Sequence, residues 1–173
     1  MNTYLKQMFA GEFDGNAYCD FSSTAAAATA GKDWLLAIFD ATGENIYAIG
    51  GQKTLTINRS ADTIEVSSKD TEGGWKANLA GMKEWSIDTE GVYVGSDTSH
   101  AILSAAFTNA TPVCIKIYDA KQRKGLFGGL AVITDYPLEA PFDDAVTYSL
   151  TLSGMGPLTD LTDEEIENEK LPA

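Results

Sequence analysis

The segment at residues 146–153 alternates apolar and polar side chains without a break. Val146, Tyr148, Leu150 and Leu152 take every second place, and threonine or serine occupies each place between and after them. Successive side chains of a β-strand point to opposite faces, whereas a helix needs apolar residues three and four apart. The segment therefore predicts a β-strand with one apolar face and one polar face.

Short patterns of the same kind recur along the chain from Trp34 onward. The runs at 34–39 and 46–49 are separated by a turn and predict a hairpin. Further strands are predicted at residues 53–58, 63–67, 85–89, 92–94, 112–118 and 126–134, the last with a bend or bulge at its paired glycines. These elements predict a mainly β protein, an antiparallel β-sandwich or flattened barrel with one flanking α-helix.

The single helix is predicted to begin after residue 96 or 97. Ser96 or Asp97 can cap it, and the apolar face is predicted to contain Ala101, Ile102, Ala105 and Ala106. His100, the only histidine, lies in its first turn. A catalytic triad needs three converging groups, so His100 is interpreted as a solvated polar residue near the cap.

The chain is expected to form one domain with two appendages. Residues 1–33 show no clear period and are rich in small side chains, so they are interpreted as a flexible N-terminal arm. Residues 34–156 are expected to form the β domain. Residues 157–173 contain six acidic residues and one lysine and are interpreted as an acidic C-terminal tail.

The net charge limits the partners of the chain. With 25 acidic against 12 basic residues it carries −13, which argues against clasping nucleic acid or docking on an anionic membrane. No apolar run approaches the roughly 20 residues of a membrane span, so no membrane anchor is expected. Cys19 and Cys114 are interpreted as reduced thiols, and with one histidine they cannot fill a structural zinc site. No cofactor or metal is expected.

The charged clusters do not resemble active sites. The adjacent pairs at 143–144 and 164–165 cannot face each other across a cleft as glycosidase carboxylates do. Residues 40–44 lack the ligand spacing of a calcium loop and are interpreted as a hairpin turn. The basic run at 121–124 is interpreted as a solvated turn or as a site that meets a neighbour's carboxylates. We therefore expect no enzyme.

The segment at residues 68–84 is predicted to be a long link between two strands. It contains Trp75, Leu79 and Met82 among glycines, alanines and charges. Links longer than about 12–15 residues without structure of their own are uncommon and are often functional. Its apolar residues are expected to bury either against the core of the same subunit or against another chain.

Several blocks of the chain resemble the major tail protein of long-tailed, non-contractile bacteriophages, the tail tube subunit. The resemblance covers about residues 31–156 and rests on GKDWLL at 31–36, GQKTLTINRSADTIEVSSKD at 51–70, GGW at 73–75, WSI at 85–87 and TYSLTLSG at 147–154. It implies a tail-tube-like β-sandwich, six copies of which form a ring, with rings stacked into a hollow tube. Edge strands that are a hazard in a monomer would then become joints of the ring.

The resemblance also implies roles for individual residues and partners. The long link would reach the adjacent ring, with contacts from Trp75, Leu79, Met82, Lys69 and Asp70. The tape measure, tail terminator and tail-tip proteins would be partners, and the protein would be made in the bacterial host cytoplasm and reside in the virion tail.

The acidic balance suggests how double-stranded DNA could pass through such a tube. A lumen of like charge would repel phosphates, so that DNA slides as a non-adhering cargo during ejection. Asp88 and Glu90, beside a long strand, are the candidate lumen acids.

Two other functional classes remain open at this point. The first is a tube subunit of a related gene-transfer or secretion apparatus, which would share the fold and the assembly. The second is a monomeric carbohydrate-binding β-sandwich, for which Trp34, Trp75 and Trp85 could supply an aromatic platform. An acidic-site hydrolase is the least favoured class.

Overall fold

The computed structural model describes residues 30–67 and 72–161. The chain divides into two compact units, Met1–Gly31 and Lys32–Ala173, and the strands and the α-helix named here belong to the second. In chain order they are β1 (Trp34–Phe39), β2 (Ile46–Ala48), β3 (Gln52–Glu65), β4 (Asn78–Val92), α1 (Thr98–Asn109), β5 (Val113–Asp119), β6 (Lys124–Asp135), β7 (Leu138–Glu139) and β8 (Thr147–Asp160). Short 3-10 turns lie at Gly31–Asp33 and Glu72–Gly74. The predicted arm lies almost entirely outside the described residues.

The strands form one antiparallel sheet in the order β2-β1-β5-β6-β8-β4-β3, with β7 added beside β8. The predicted hairpin of β1 and β2 and the predicted strand at 146–153 are both present, and the latter continues to Asp160. Near the paired glycines of β6 the register with β8 shifts between Gly128 and Leu130. The prediction of a mainly antiparallel β fold with a single flanking helix is confirmed.

The two ends of this sheet come together through one side chain. The Gln52 amide of β3 accepts from Leu36 N of β1 at 3.0 Å and donates to Leu36 O at 2.6 Å. It also donates to Ile49 O at 3.0 Å. Gln52 therefore closes the path between the two ends of the sheet, as in a flattened barrel.

The main hydrophobic core occupies the inside of the folded sheet, and a smaller buried cluster consists of Ala37, Ile46 and Tyr118. The alternating residues of β8 point into the main core, since Tyr148, Leu150 and Leu152 are all buried. Ile87 of β4 and Ile117 of β5 are fully buried in the same cluster. Strands from both ends of the sheet thus share the main core, which is what the period-two patterns predict.

Helix α1 begins where the sequence predicts, and two of the four residues predicted for its inward face, Ile102 and Ala106, pack against the core. Asp97 is the N-cap and accepts from Ser99 N at 2.8 Å. The buried residues are Ser99, His100, Leu103 and Ala106, whereas the predicted Ala101 and Ala105 are exposed. Small residues on both faces leave the inward face of this helix undetermined by spacing alone.

The interpretation of His100 as a solvated residue is wrong. His100 is buried, with Nε2 3.2 Å from Gly50 O and Nδ1 2.7 Å from the Tyr136 hydroxyl. A carbonyl can only accept, so Nε2 carries the proton and Nδ1 accepts from Tyr136. The rings of Tyr93 and Tyr148 each lie 4.8 Å from the imidazole between centroids. His100 thus joins α1 to the sheet.

The tyrosines around His100 make the fold sensitive to alkali. Burial raises the pKa of Tyr136 and of Tyr148 from about 10 to about 12. Because the pKa of each tyrosine is higher in the folded state than in the unfolded state, the neutral tyrosines favour folding. Their contribution to the free energy of unfolding is complete below pH 10 and is lost as the pH rises through about 12.

We therefore expect the free energy of unfolding to fall between pH 10 and pH 12, as measured by urea denaturation. Tyr148→Phe, which keeps the ring, should remove about half of this slope. An identical slope in the variant would show that another group causes the alkaline loss.

Candidate assembly surfaces

The longest feature of the sheet is the hairpin of β3 and β4. The strands pair from Gln52 opposite Gly91 to Glu65 opposite Asn78, with register shifts after Gln52 and after Ala61. Val66 N donates to Ala77 O at 2.8 Å and extends the pairing by one step. The prediction of a link at 68–84 is therefore wrong, because residues 78–84 are strand. Lys69 and Asp70 lie outside the described residues.

The outer half of this hairpin exposes apolar side chains on both of its faces. Trp75 and Met82 are 80% and 84% exposed, and Leu79 is 58% exposed beside its cross-strand partner Ile64. In the described part of the chain, β4 pairs with β8 only from Ser86 onward, so the outer half has β3 as its sole strand partner. These apolar residues are therefore available to another chain.

The base of the hairpin is fixed by Trp85. This side chain is 7% exposed, and its Nε1 donates to Gly156 O of β8 at 2.8 Å. A Cβ on Gly154 would overlap the indole ring, so only glycine lets β8 pass at this point. The guanidinium of Arg59 in β3 lies 4.5 Å from the centroid of the Phe127 ring. These contacts fix the base of the hairpin to β6 and β8, and so set the direction in which its outer half projects from the sheet.

On strands β3, β4 and β8, the face of the sheet opposite the core is polar. Asp88 accepts from Asn58 Nδ2 at 2.7 Å and from Thr151 Oγ1 at 2.9 Å, which links β3, β4 and β8. Glu90 follows two residues later on the same face of β4 and is exposed. The two candidate lumen acids therefore share one face, together with the threonines and serines of β8.

The sheet also has an open edge. Among the described strands, β3 pairs only with β4, and beyond the side-chain contacts of Gln52 its other side has no strand partner. Side chains on β3 are mostly exposed. Such an edge is a template for pairing with another chain.

The turn at residues 40–45 is a hairpin turn, as predicted. The Asp40 carboxylate accepts from the Thr42 hydroxyl at 2.6 Å and from Asn45 Nδ2 at 2.7 Å. These hydrogen bonds hold the pKa of Asp40 well below its usual range. The Asp40 carboxylate therefore stabilises its own turn by accepting hydrogen bonds from residues of that turn.

The described residues contain no cluster of three His, Cys, Asp or Glu side chains that could hold a metal ion. Desolvation by partial burial raises the pKa of the Cys114 thiol. Cys19 lies outside the described residues. In the part of the chain that the structure describes, no helix is long and apolar enough to cross a membrane.

The three tryptophans do not form a sugar-binding platform. Trp85 is buried in the core, and Trp34 is half-buried with its ring edge-on to Phe127 at 6.4 Å between centroids. Only Trp75 of the three is exposed. A carbohydrate-binding module needs its aromatic rings together on the surface, so this class is not supported by the geometry.

An antiparallel sheet with a projecting hairpin, an open edge and a polar outer face is the architecture of a subunit that assembles with copies of itself. The family model for the phage tail tube protein matches residues 28–160, and the chain belongs to this family. It is therefore a structural subunit of a tail tube and a component of the virion tail. No curated protein matches the chain.

Solved structures of tail tubes are similar to this chain. The tail of an empty gene transfer agent particle, refined with C6 symmetry, is 26% identical with a TM-score of 0.68, covering 77% of this chain and 98% of that one. The virion of a native gene transfer agent particle gives 24% and 0.67 over the same shares. The SPP1 tail tube is 17% identical with a TM-score of 0.65, covering 83% and 88%.

Proposed function

We propose that six copies of this chain form a ring and that the rings stack into the tail tube of a long-tailed, non-contractile phage, through which DNA passes into the host. The observation that carries the proposal is the β3–β4 hairpin, which projects from the sheet with exposed apolar residues and an open edge. The C6 symmetry of the similar gene transfer agent tail supports six copies in a ring.

The outer hairpin is proposed to contact the adjacent ring. Trp75, Leu79 and Met82 supply apolar area that the described part of the subunit leaves uncovered. Lys69 and Asp70 adjoin the hairpin tip in the sequence and are proposed to take part in the same contact. The open edge of β3 is proposed to pair with a neighbour within the ring, which removes the free edge.

The polar face of β3, β4 and β8 is proposed to line the lumen. Asp88 and Glu90 then face the axis, and each copy adds to a strongly acidic ring because its net charge is −13. A like-charged wall repels DNA phosphates and lets the cargo pass without adhering. The protein has no catalytic role in this proposal, and its partners are the tape measure, tail terminator and tail-tip proteins.

A tube subunit of a gene-transfer apparatus is the second candidate. The gene transfer agent tail is the more similar in sequence, at 26% identity against 17% for the SPP1 tail tube. Both assemblies use the same kind of subunit, so the genes that neighbour this one would distinguish them.

Electron microscopy of the purified protein at rising concentration tests the proposal. Rings with six subunits, and tubes at high concentration, are the expected result, because polymerisation follows mass action. A cryo-electron microscopy map of those tubes should show Asp88 and Glu90 on the inner wall. Dispersed monomers at every concentration would contradict the assembly, and a map with these residues on the outside would contradict the lumen assignment.

A further inference from the structure

The two connections at opposite ends of strand β6 carry opposite charge. Strand β6 has 12 residues and spans about 40 Å at the usual rise of about 3.3 Å per residue. The turn that joins β5 to β6 lies at its start. The segment that joins β6 to β8, residues 136–146, lies at its other end. The same subunit thus presents two surfaces that face in opposite directions along the strands.

The segment at 136–146 forms an acidic surface with an exposed aromatic ring. Glu139, Asp143 and Asp144 are all exposed, as is Asp135 at the end of β6. Phe142 is 101% exposed, which means that its whole side chain is in contact with solvent in the isolated subunit. The described part of the subunit therefore leaves the Phe142 ring uncovered, so it is available to a partner that binds the neighbouring carboxylates.

The β5–β6 turn forms a basic surface at the opposite end. Lys121 and Arg123 are exposed and Lys124 is half-buried, and the structure records no ion pair for these three within the described residues. The carboxylate of Asp119, which is 2% exposed, accepts from Lys121 N at 2.9 Å and Gln122 N at 3.0 Å. Asp119 therefore holds the turn in shape, so that the basic side chains are presented by a fixed backbone.

We propose that the acidic surface at 136–146 of one copy docks on the basic β5–β6 turn of a second copy in the next ring. This inference rests on the proposed function and deepens it by naming the surface that receives the stacked copy. The acidic surface contacts a basic turn and not another acidic surface, so the contact is head-to-tail. Repeated head-to-tail contacts between rings generate an open filament. Two rings that met with like ends would repel each other, so all subunits of the tube point the same way.

The position of the hairpin agrees with this direction of stacking. Strands β4 and β6 both run antiparallel to β8, so they start at the same end of the sheet. The hairpin tip and the basic turn therefore project from one end, and the acidic surface lies at the other. The hairpin tip and the basic turn would therefore both contact the same neighbouring ring.

Charge reversal tests this docking in the full-length chain. Asp143→Lys/Asp144→Lys and Lys121→Glu/Arg123→Glu should each raise the critical concentration for tubes by about tenfold or more, because like charges then face each other. The four changes combined take the segment 136–146 from −3 to +1 and the turn from +3 to −1 and keep the net charge of the chain, so tube formation should recover in part relative to either double variant. Tubes are counted by sedimentation and electron microscopy, and circular dichroism checks that every variant folds.

The outcomes separate the docking from the proposed function. Wild-type protein that never forms tubes would overturn both. Wild-type tubes together with unaffected double variants, or with a combined variant that stays unassembled, would overturn the docking alone. Loss of tubes only in Lys121→Glu/Arg123→Glu would also overturn it, and would indicate that another acidic segment, such as residues 162–173, binds the turn.

Discussion

Trp75→Ala subunits are expected to fold normally and to fail in tube growth. The side chain is 80% exposed, so its removal takes little from the core. In the assembled tube it is proposed to be buried against the next ring, and central tryptophans of interfaces commonly contribute more than 2 kcal/mol. The critical concentration should therefore rise about thirtyfold or more. Sedimentation and electron microscopy measure this rise, and thermal unfolding measures the fold.

Trp75→Phe is the matched control for this experiment. Phenylalanine keeps an aromatic ring at the hairpin tip, so tube growth should recover in part. Gly73 and Gly74 lie within the 3-10 turn and have positive φ, and both are unchanged in the two variants, so the turn itself is preserved. Trp75→Ala protein that grows tubes of normal length at the wild-type concentration would remove the hairpin tip from the stacking contact.

Gly154→Ala is expected to lower the free energy of unfolding by about 3 kcal/mol. The added Cβ would overlap the indole of Trp85, a rigid ring that is 7% exposed and tied to Gly156 O. The ring can leave only by losing that hydrogen bond and its packing against β8. Because Trp85 fixes the base of the hairpin, the variant should also assemble poorly. Urea denaturation of the unassembled protein measures the first effect.

Gly95→Ala provides the comparison. Gly95 has no positive φ, and a Cβ there meets only Tyr93 at an ordinary contact distance of 3.4 Å. Its free energy of unfolding should change by less than about 0.5 kcal/mol. Equal stability of the two variants would show that the indole of Trp85 moves aside freely, and the account of the hairpin base would then be wrong.

Sequence patterns predicted those strands that have one face in the core. Residues 146–153 are the clearest case. One face of this strand is buried and the other is hydrated, so apolar and polar residues alternate in the sequence. The outer half of the β3–β4 hairpin has no buried face in the described subunit, so residues 78–84 carry no such alternation. Residues 78–84 are a strand because they pair with residues 60–65. The pattern of either segment alone does not indicate this pairing.

Long-range contacts explain the other differences. The partners of His100 are 36 and 50 residues away in sequence, at Tyr136 and Gly50, so nothing near the histidine indicates burial. By contrast, the cap at Asp97 depends on a contact two residues away and was predictable. The shared face of Asp88 and Glu90 follows from their spacing, but the hydrogen bonds of Asp88 to Asn58 and Thr151 required the sheet order.

The closure of the sheet through Gln52 has a mechanical consequence. The hairpin of β3 and β4 is held by a ladder of backbone hydrogen bonds, whereas three hydrogen bonds from one side chain tie β3 to Leu36 and Ile49. Because the ladder joins β3 and β4 at many more points, we expect the Gln52 contacts to open before this strand pair when the assembled tube is bent. Opening would let β3 move relative to β1 while the strand pairs stay intact.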